Sequence, residues 1–163
     1  ASQEEEMRQN IEELTATQEE LERKQTEMEA LLNTVDKALI ESEIDANGTI
    51  IRANDNYLST SGYSKDEIIG KDMRIEMFDE DVQQYNLTWN NLLKGIAFRG
   101  ETRRIRKDGV EKWYLSTYVP ALDTYGRVYK IYYLAEDITE LKNLEKKSRD
   151  QEKQIRELKK DKG

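Results

Sequence analysis

The chain has 163 residues, of which 37% are charged and 36% belong to the set AVILMFWYC, and its formal net charge is −8. It contains no Cys and no His, which excludes disulfides, thiolate zinc sites, cysteine nucleophiles, imidazole bases and His metal ligands. No apolar run approaches the ~20 residues that span a bilayer and no signal peptide is visible, so the segment reads as cytoplasmic, without membrane contact of its own. The start at Ala1 rather than Met reads as a piece of a longer parent, which is free to be membrane-anchored.

Charge is unevenly placed. Residues 1–36 carry 11 acids and 3 bases, residues 37–138 carry 17 and 14, and residues 139–163 carry 6 and 9. The acidic surplus lies in the N-terminal arm, a balance that argues against nucleic acid as a partner. Residues 4–36 hold no Gly and no Pro. Apolar residues recur there in steps of four and three. With Ile11 at heptad position a, Leu14, Leu21, Met28 and Val35 fall at d, Leu32 continues the seam, and Gln18 and Gln25 occupy a. This pattern predicts a helix about 50 Å long whose seam needs a partner helix, as in a parallel coiled-coil homodimer. The alternative is a solvated single helix rich in Glu. A polar a residue weakens a coil and specifies its register, so two of them suit a coil that shifts.

Residues 37–138 carry every Tyr, Trp and Phe, seven of the eight Gly and the single Pro. Asn47-Gly48 predicts a hairpin between Ala38–Ile44 and Thr49–Ala53. Ser64 with Glu67 forms a capping box before Ile68-Ile69, and Gly70 closes that turn. Asp79-Glu80-Asp81 opens a longer helix that ends near Gly95, its acids placed to suit the helix dipole. Asp108-Gly109 predicts a second hairpin, joining Ile96–Lys107 to Val110–Val119, with Trp113, Leu115, Thr117 and Val119 on one face. Pro120 and Gly126 bracket the turn into a last strand, 127–135, apolar on both faces and therefore expected to be covered on both. The order is two strands, several helices and three strands, an α+β domain with an antiparallel sheet. Residues 139–163 return to helix, with Asp137 as the expected N-cap and Glu140 reaching back to it. Leu141, Leu144, Ile155 and Leu158 hold a weak heptad phase in it.

Three sets of residues invite a functional reading. Trp89, Trp113 and Tyr57 are candidates for a ligand pocket, against the simpler view that they fill the core. Asp79, Glu80 and Asp81 form a carboxylate cluster that helix capping explains without a metal. Arg99, Arg103, Arg104, Arg106 and Lys107 place five cations in nine residues. They suit an anionic ligand or acidic partner, or an edge strand protected by charge.

Taken in order, Asp45-Ala-Asn-Gly-Thr-Ile-Ile-Arg-Ala-Asn54, Ser61-Gly-Tyr-Ser-Lys-Asp-Glu-Ile-Ile-Gly-Lys71, Arg106-Lys-Asp-Gly109, Trp113, Pro120, Gly126 and Asp137-Ile-Thr139 resemble a PAS domain over about residues 34–140. The resemblance implies a five-stranded antiparallel sheet with short helices on one face. A long N-terminal helix and a C-terminal signalling helix flank it. It also implies a dimer with N-terminal helices covering sheet surface, and a relay through Asp137, Thr139 and Glu140. Haem-binding members commonly use His, and flavin-adduct members need Cys. Both chemistries are disfavoured here, while a non-covalent flavin or another small molecule stays open. The expected function is a non-catalytic sensory and dimerisation module of a bacterial-type signalling protein. Such parents include two-component sensor kinases, chemotaxis receptors and cyclic-dinucleotide enzymes. The alternative is a ligand-free constitutive scaffold.

Overall fold

The computed structural model describes residues 1–163, which divide into two compact units, Ala1–Ala38 and Leu39–Gly163. The first unit is a single helix, α1 (Ser2–Ala38), without a buried residue. Its apolar stripe is open throughout, with Ile11 57% and Leu14 69% exposed. The amides at the two expected a positions turn along the helix: Gln18 Nε2 donates to Glu22 and Gln25 Nε2 to Glu29, each at 3.3 Å. The i,i+4 spacing brings such pairs together on one helix face.

The second unit runs β1 (Ile40–Asp45), β2 (Ile50–Ala53), α2 (Asp55–Ser61), α3 (Lys65–Ile68), a 3-10 turn (Met73–Glu76), α4 (Asp79–Leu93), β3 (Phe98–Ile105), β4 (Glu111–Leu122), β5 (Val128–Asp137) and α5 (Thr139–Lys160). The five strands form one antiparallel sheet in the order β2-β1-β5-β4-β3. This is the predicted α+β architecture, and all three predicted strand pairs close through their Gly turns. At the first of them Gly48 has φ +89°, a left-handed conformation that side chains with a Cβ resist.

Short polar signals start the helices. The Asn54 Oδ1 accepts the Tyr57 N–H at 2.9 Å, capping α2, and also the Glu41 N–H at 3.0 Å. One side chain thereby fastens α2 to β1. Glu67 accepts the Ser64 N–H at 2.9 Å at the head of α3, part of the expected capping box. The core lies between the helices and one face of the sheet, where Ile44, Ile50, Ile68, Leu92 and Ile131 are fully buried. Tyrosines complete it: Tyr118 and Tyr133 lie 4.8 Å apart, and Tyr57 meets Tyr133 edge-on at 6.3 Å. Such ring pairs add about 0.5–1.5 kcal/mol beyond burial.

Two expectations about the sheet change. The core face of β4 is Tyr114, Ser116 and Tyr118, opposite to the Trp113–Val119 face. Its hydroxyls are accommodated by partners: Ser116 bonds Tyr133 at 3.2 Å and Thr102 at 2.7 Å. In β5, Ile131, Tyr133 and Ala135 are buried, whereas Tyr129 is 52% exposed and Tyr132 on the second face 37%. Within this unit that second face is not closed over. Lys130 instead lays its ammonium over the rings of Tyr132 and Tyr129, at 4.8 and 5.9 Å.

Candidate ligand cavity and helix junction

A cavity of about 360 Å³ opens between α4 and the β3–β4 hairpin, within the ~300–1,000 Å³ usual for small-molecule sites. Tyr85 and Thr88 reach it from α4, Phe98 and Thr102 from β3, and Trp113 and Tyr118 from β4. The strand contributions follow from register. Thr102 pairs with Tyr114 and Phe98 with Tyr118, so even-numbered residues of β3 share the core face with the tyrosines of β4.

Arg104 belongs to that same even set, and it is buried, 7% exposed. Its Nη2 donates to the Tyr118 hydroxyl at 2.6 Å and its Nη1 to the Arg103 carbonyl at 2.8 Å, while Nε has no partner. Burial opposes its charge, and Tyr118, Tyr133 and Glu76 outweigh that effect and keep its pKa raised. Arg103, on the opposite face, turns toward α4. It donates to Asp81 at 2.7 Å and to Glu80 at 2.5 Å, and its guanidinium lies 4.5 Å above the Phe78 ring. The acids at the start of α4 therefore do more than suit the dipole: two of the three anchor the helix to β3. The basic run is not a uniform charged edge either. β3 is an edge strand, but Arg104 points inward and Arg103 is tied down.

Arg104 also lines a second, small cavity of about 10 Å³, together with Tyr57, Met73, Glu76, Tyr114 and Tyr133. Glu76 is 5% exposed and accepts the Tyr57 hydroxyl. Burial pushes its carboxyl up to about 7, although Tyr57 and Arg104 pull the other way. Burial and the neighbouring Glu76 likewise raise the Tyr57 phenol well above its ordinary value.

The three aromatic pocket candidates do not meet in one site. Trp113 lines the larger cavity and Tyr57 the smaller. Trp89 lines neither, and stacks on Tyr85 with centroids 5.8 Å apart. Sequence reasoning missed Tyr85, Glu76 and the inward side of Arg104. The signal for Arg104 was available, since the Asp108-Gly109 turn sets the hairpin register and register sets the face.

The junction with α5 differs from expectation by one residue. Ile138, not Asp137, occupies the N-cap position, without a side-chain cap bond. The β4–β5 ladder extends to Asp137, opposite Tyr114, so its backbone stays extended. The Asp137 carboxylate still accepts the Thr139 N–H at 2.9 Å, and it pairs with Lys112 at 3.2 Å. Its partial burial favours the protonated form, and the Thr139 and Lys112 bonds overcome this to hold its pKa down. Glu140 is exposed and makes no bond back to Asp137. Trp113 is the hub of the junction. Its N–H donates to Thr139 Oγ1 at 2.9 Å, and its carbonyl accepts the Ile138 N–H at 2.9 Å. Lys142, one turn into α5, lies 5.0 Å above the Trp113 ring and pairs with Glu101, which also lines the cavity.

Comparison with known proteins places this geometry. Over 116 residues the chain is 31% identical to the biofilm dispersion protein BdlA of Pseudomonas aeruginosa, covering 70% of this chain and 28% of that protein. It is 32% identical over 82 residues to phototropin-2 of Oryza sativa subsp. japonica, covering 50% of this chain and 9% of that one. The chain thus spans less than a third of either relative. Among solved structures, the PAS domain of a Colwellia psychrerythraea protein superposes with a TM-score of 0.62 at 23% identity, covering 69% of this chain and 98% of that one. An RNA-binding light-oxygen-voltage receptor superposes with a TM-score of 0.60 at 22% identity, covering 68% and 33%. These likenesses are of fold. A profile described as PAS fold matches residues 38–143, and over that span the chain belongs to the PAS fold family.

Proposed function

We propose that the chain is a cytoplasmic sensory module that dimerises through residues 4–36 and relays a signal through α5 to an output domain outside it. The observation that carries this reading is a shared wall. Glu101 and Trp113 line the cavity and also hold the first turn of α5 through Lys142 and Thr139. Occupation of the cavity that shifts this wall loosens or tightens the root of the helix. Two such helices then change their packing and bias whatever follows residue 163. Small shifts suffice where two packings lie within a few kcal/mol of each other. A biofilm dispersion protein and a light-oxygen-voltage receptor among the similar proteins support a signalling role.

The test uses the protein that carries this domain. Asp137→Ala and Lys142→Ala each leave the β-sheet unit folded and the dimer intact. The expected result is an output that no longer follows the stimulus. Two variants that respond like the unmodified protein overturn the relay through this junction. An unmodified protein whose output ignores every stimulus favours a constitutive scaffold.

A further inference from the structure

We propose that Glu76 and Arg104 form a proton-operated switch: while the Glu76 carboxyl is protonated Arg104 holds Tyr118, and when the carboxyl loses that proton Arg104 turns to it. The inference rests on the sensory reading above and names the proton as an input to the module.

An acid and a base share one enclosed space here. Glu76 is 5% exposed and Arg104 7%, and both line the small cavity of about 10 Å³, about the space of one water. They do not bond each other. Glu76 accepts the Tyr57 hydroxyl, while Arg104 donates to the Tyr118 hydroxyl at 2.6 Å and to the Arg103 carbonyl at 2.8 Å. The other titratable groups around Glu76 are Tyr57 from α2, Tyr114 from β4 and Tyr133 from β5 in the cavity wall, with Tyr63 and Tyr118 close enough to feel its charge. Arg104, from β3, is the one charged side chain that faces it. A guanidinium keeps its proton throughout the physiological range, so the carboxyl alone sets the charge of the pair.

The two protonation states ask for different bonds. A neutral carboxyl leaves the Arg104 guanidinium to neutral acceptors, as the Tyr118 hydroxyl and the Arg103 carbonyl are. A buried carboxylate has to be paired, and hydrogen bonds between ionised groups are about twice as strong as those between neutral ones. Ionisation therefore draws Arg104 from Tyr118 toward Glu76. Burial favours the neutral form and brings the change close to neutrality. The chain has no His, the side chain that ordinarily changes charge between about pH 5 and 8, so Glu76 holds this window without a rival imidazole. The displacement has a route outward. The strands that carry Arg104 and Tyr118 also carry Glu101 and Trp113, which hold Lys142 and Thr139 at the root of α5.

The experiment follows the glutamate carboxyl carbons of the full chain by NMR from about pH 5 to pH 8, together with the Nε resonance of Arg104. One carboxyl is expected to titrate apart from the rest, near neutrality, and to be missing from Glu76→Gln. The Arg104 resonance is expected to move with the same midpoint in the unmodified chain and to stay fixed in Glu76→Gln. Tyr57→Phe removes a bond that favours the charged form, so its midpoint lies at higher pH; this shift identifies the carboxyl even if Glu76→Gln fails to fold. In the protein that carries this domain, output follows pH with that midpoint. If no carboxyl titrates in this window, the switch is overturned and the relay through α5 stands with another stimulus. A titration that persists in Glu76→Gln, or one that leaves the Arg104 resonance unmoved, overturns the pairing of these two residues. An output that stays level while both resonances move overturns the relay through α5 and leaves the switch standing.

Discussion

Glu76 shows how one buried side chain sets a property of the whole unit. Its carboxyl is raised from an ordinary 4.5 to about 7, first by burial. The groups that face it are Tyr57 from α2, Arg104 from β3, Tyr114 from β4 and Tyr133 from β5. Because the folded pKa lies above the unfolded one, the folded state binds the extra proton. Its contribution to stability is complete below pH 4.5 and is lost as pH rises through about 7. A shift of this size corresponds to on the order of 3 kcal/mol. Asp137 acts in the opposite sense, since its depressed pKa stabilises above its unfolded value and is lost in acid. The two windows do not overlap. Urea unfolding of the unmodified chain is therefore expected to require less urea at pH 7.5 than at pH 5. Glu76→Gln removes most of that difference. A pH difference that persists in the variant shows that another group titrates in this window.

At the scale of elements, the turns were legible and the faces were not always so. Asn47-Gly48, Asp108-Gly109 and Gly126 mark turns for local reasons, and a hairpin closes at each; Pro120, expected to bracket the last turn, instead lies inside β4 opposite Ile131, and the strand runs on to Leu122. The start of α5 shifted by a residue because a capping signal competed with a strand ladder, and the ladder's pairing with β4 prevailed. In β3 the alternation was hidden, since an arginine stands at a core-facing position and reads as exposed until Tyr118 is seen to bond it. The seam of α1 leads to a prediction at this scale. Gln18→Ile with Gln25→Ile replaces two polar a residues by β-branched ones, which favours a two-stranded coil with Leu at d. The helical circular dichroism signal is expected to melt at a higher temperature. An unchanged or lower melting temperature shows that these positions lie outside the seam.

For the whole molecule, the open stripe on α1 and the half-open second face of the sheet are surfaces that association can bury. The stripe from Met7 to Leu32 is exposed at every apolar position. An isolated helix so polar gains little from solvent, and coiled-coil partners supply the missing packing. Residues 1–36 carry 11 acids against 3 bases, so two parallel arms repel each other. Salt screens such repulsion over about 8–10 Å at physiological strength. Light scattering at micromolar concentration is expected to give a dimer whose association strengthens as salt is raised. A monomer at every salt concentration overturns the proposed assembly. No helix of the chain is long and apolar enough to cross a membrane, so neither α1 nor α5 is a spanning segment.

The β1–β5 pairing that joins the sheet was decided by tertiary structure, whereas the amino-acid order by itself determined the element types, their sequence and the three hairpin pairings. These depend on short-range causes: heptad spacing, turn residues with positive φ, and strands joined by tight hairpins. The Ser64–Glu67 pair, three residues apart, was read from the order itself, whereas the equally local Asn54–Tyr57 cap was not. What only the tertiary structure decided lies across longer separations. Tyr57 meets Glu76 after 19 residues, Arg104 meets Tyr118 after 14, and Arg103 reaches Asp81 back across 22. The first joins α2 to the 3-10 turn, the second two paired strands and the third β3 to α4, and in each packing, not local propensity, selects which polar group is enclosed. The cavity, the buried Arg104 guanidinium and the root of α5 that shares the cavity wall are products of such packing.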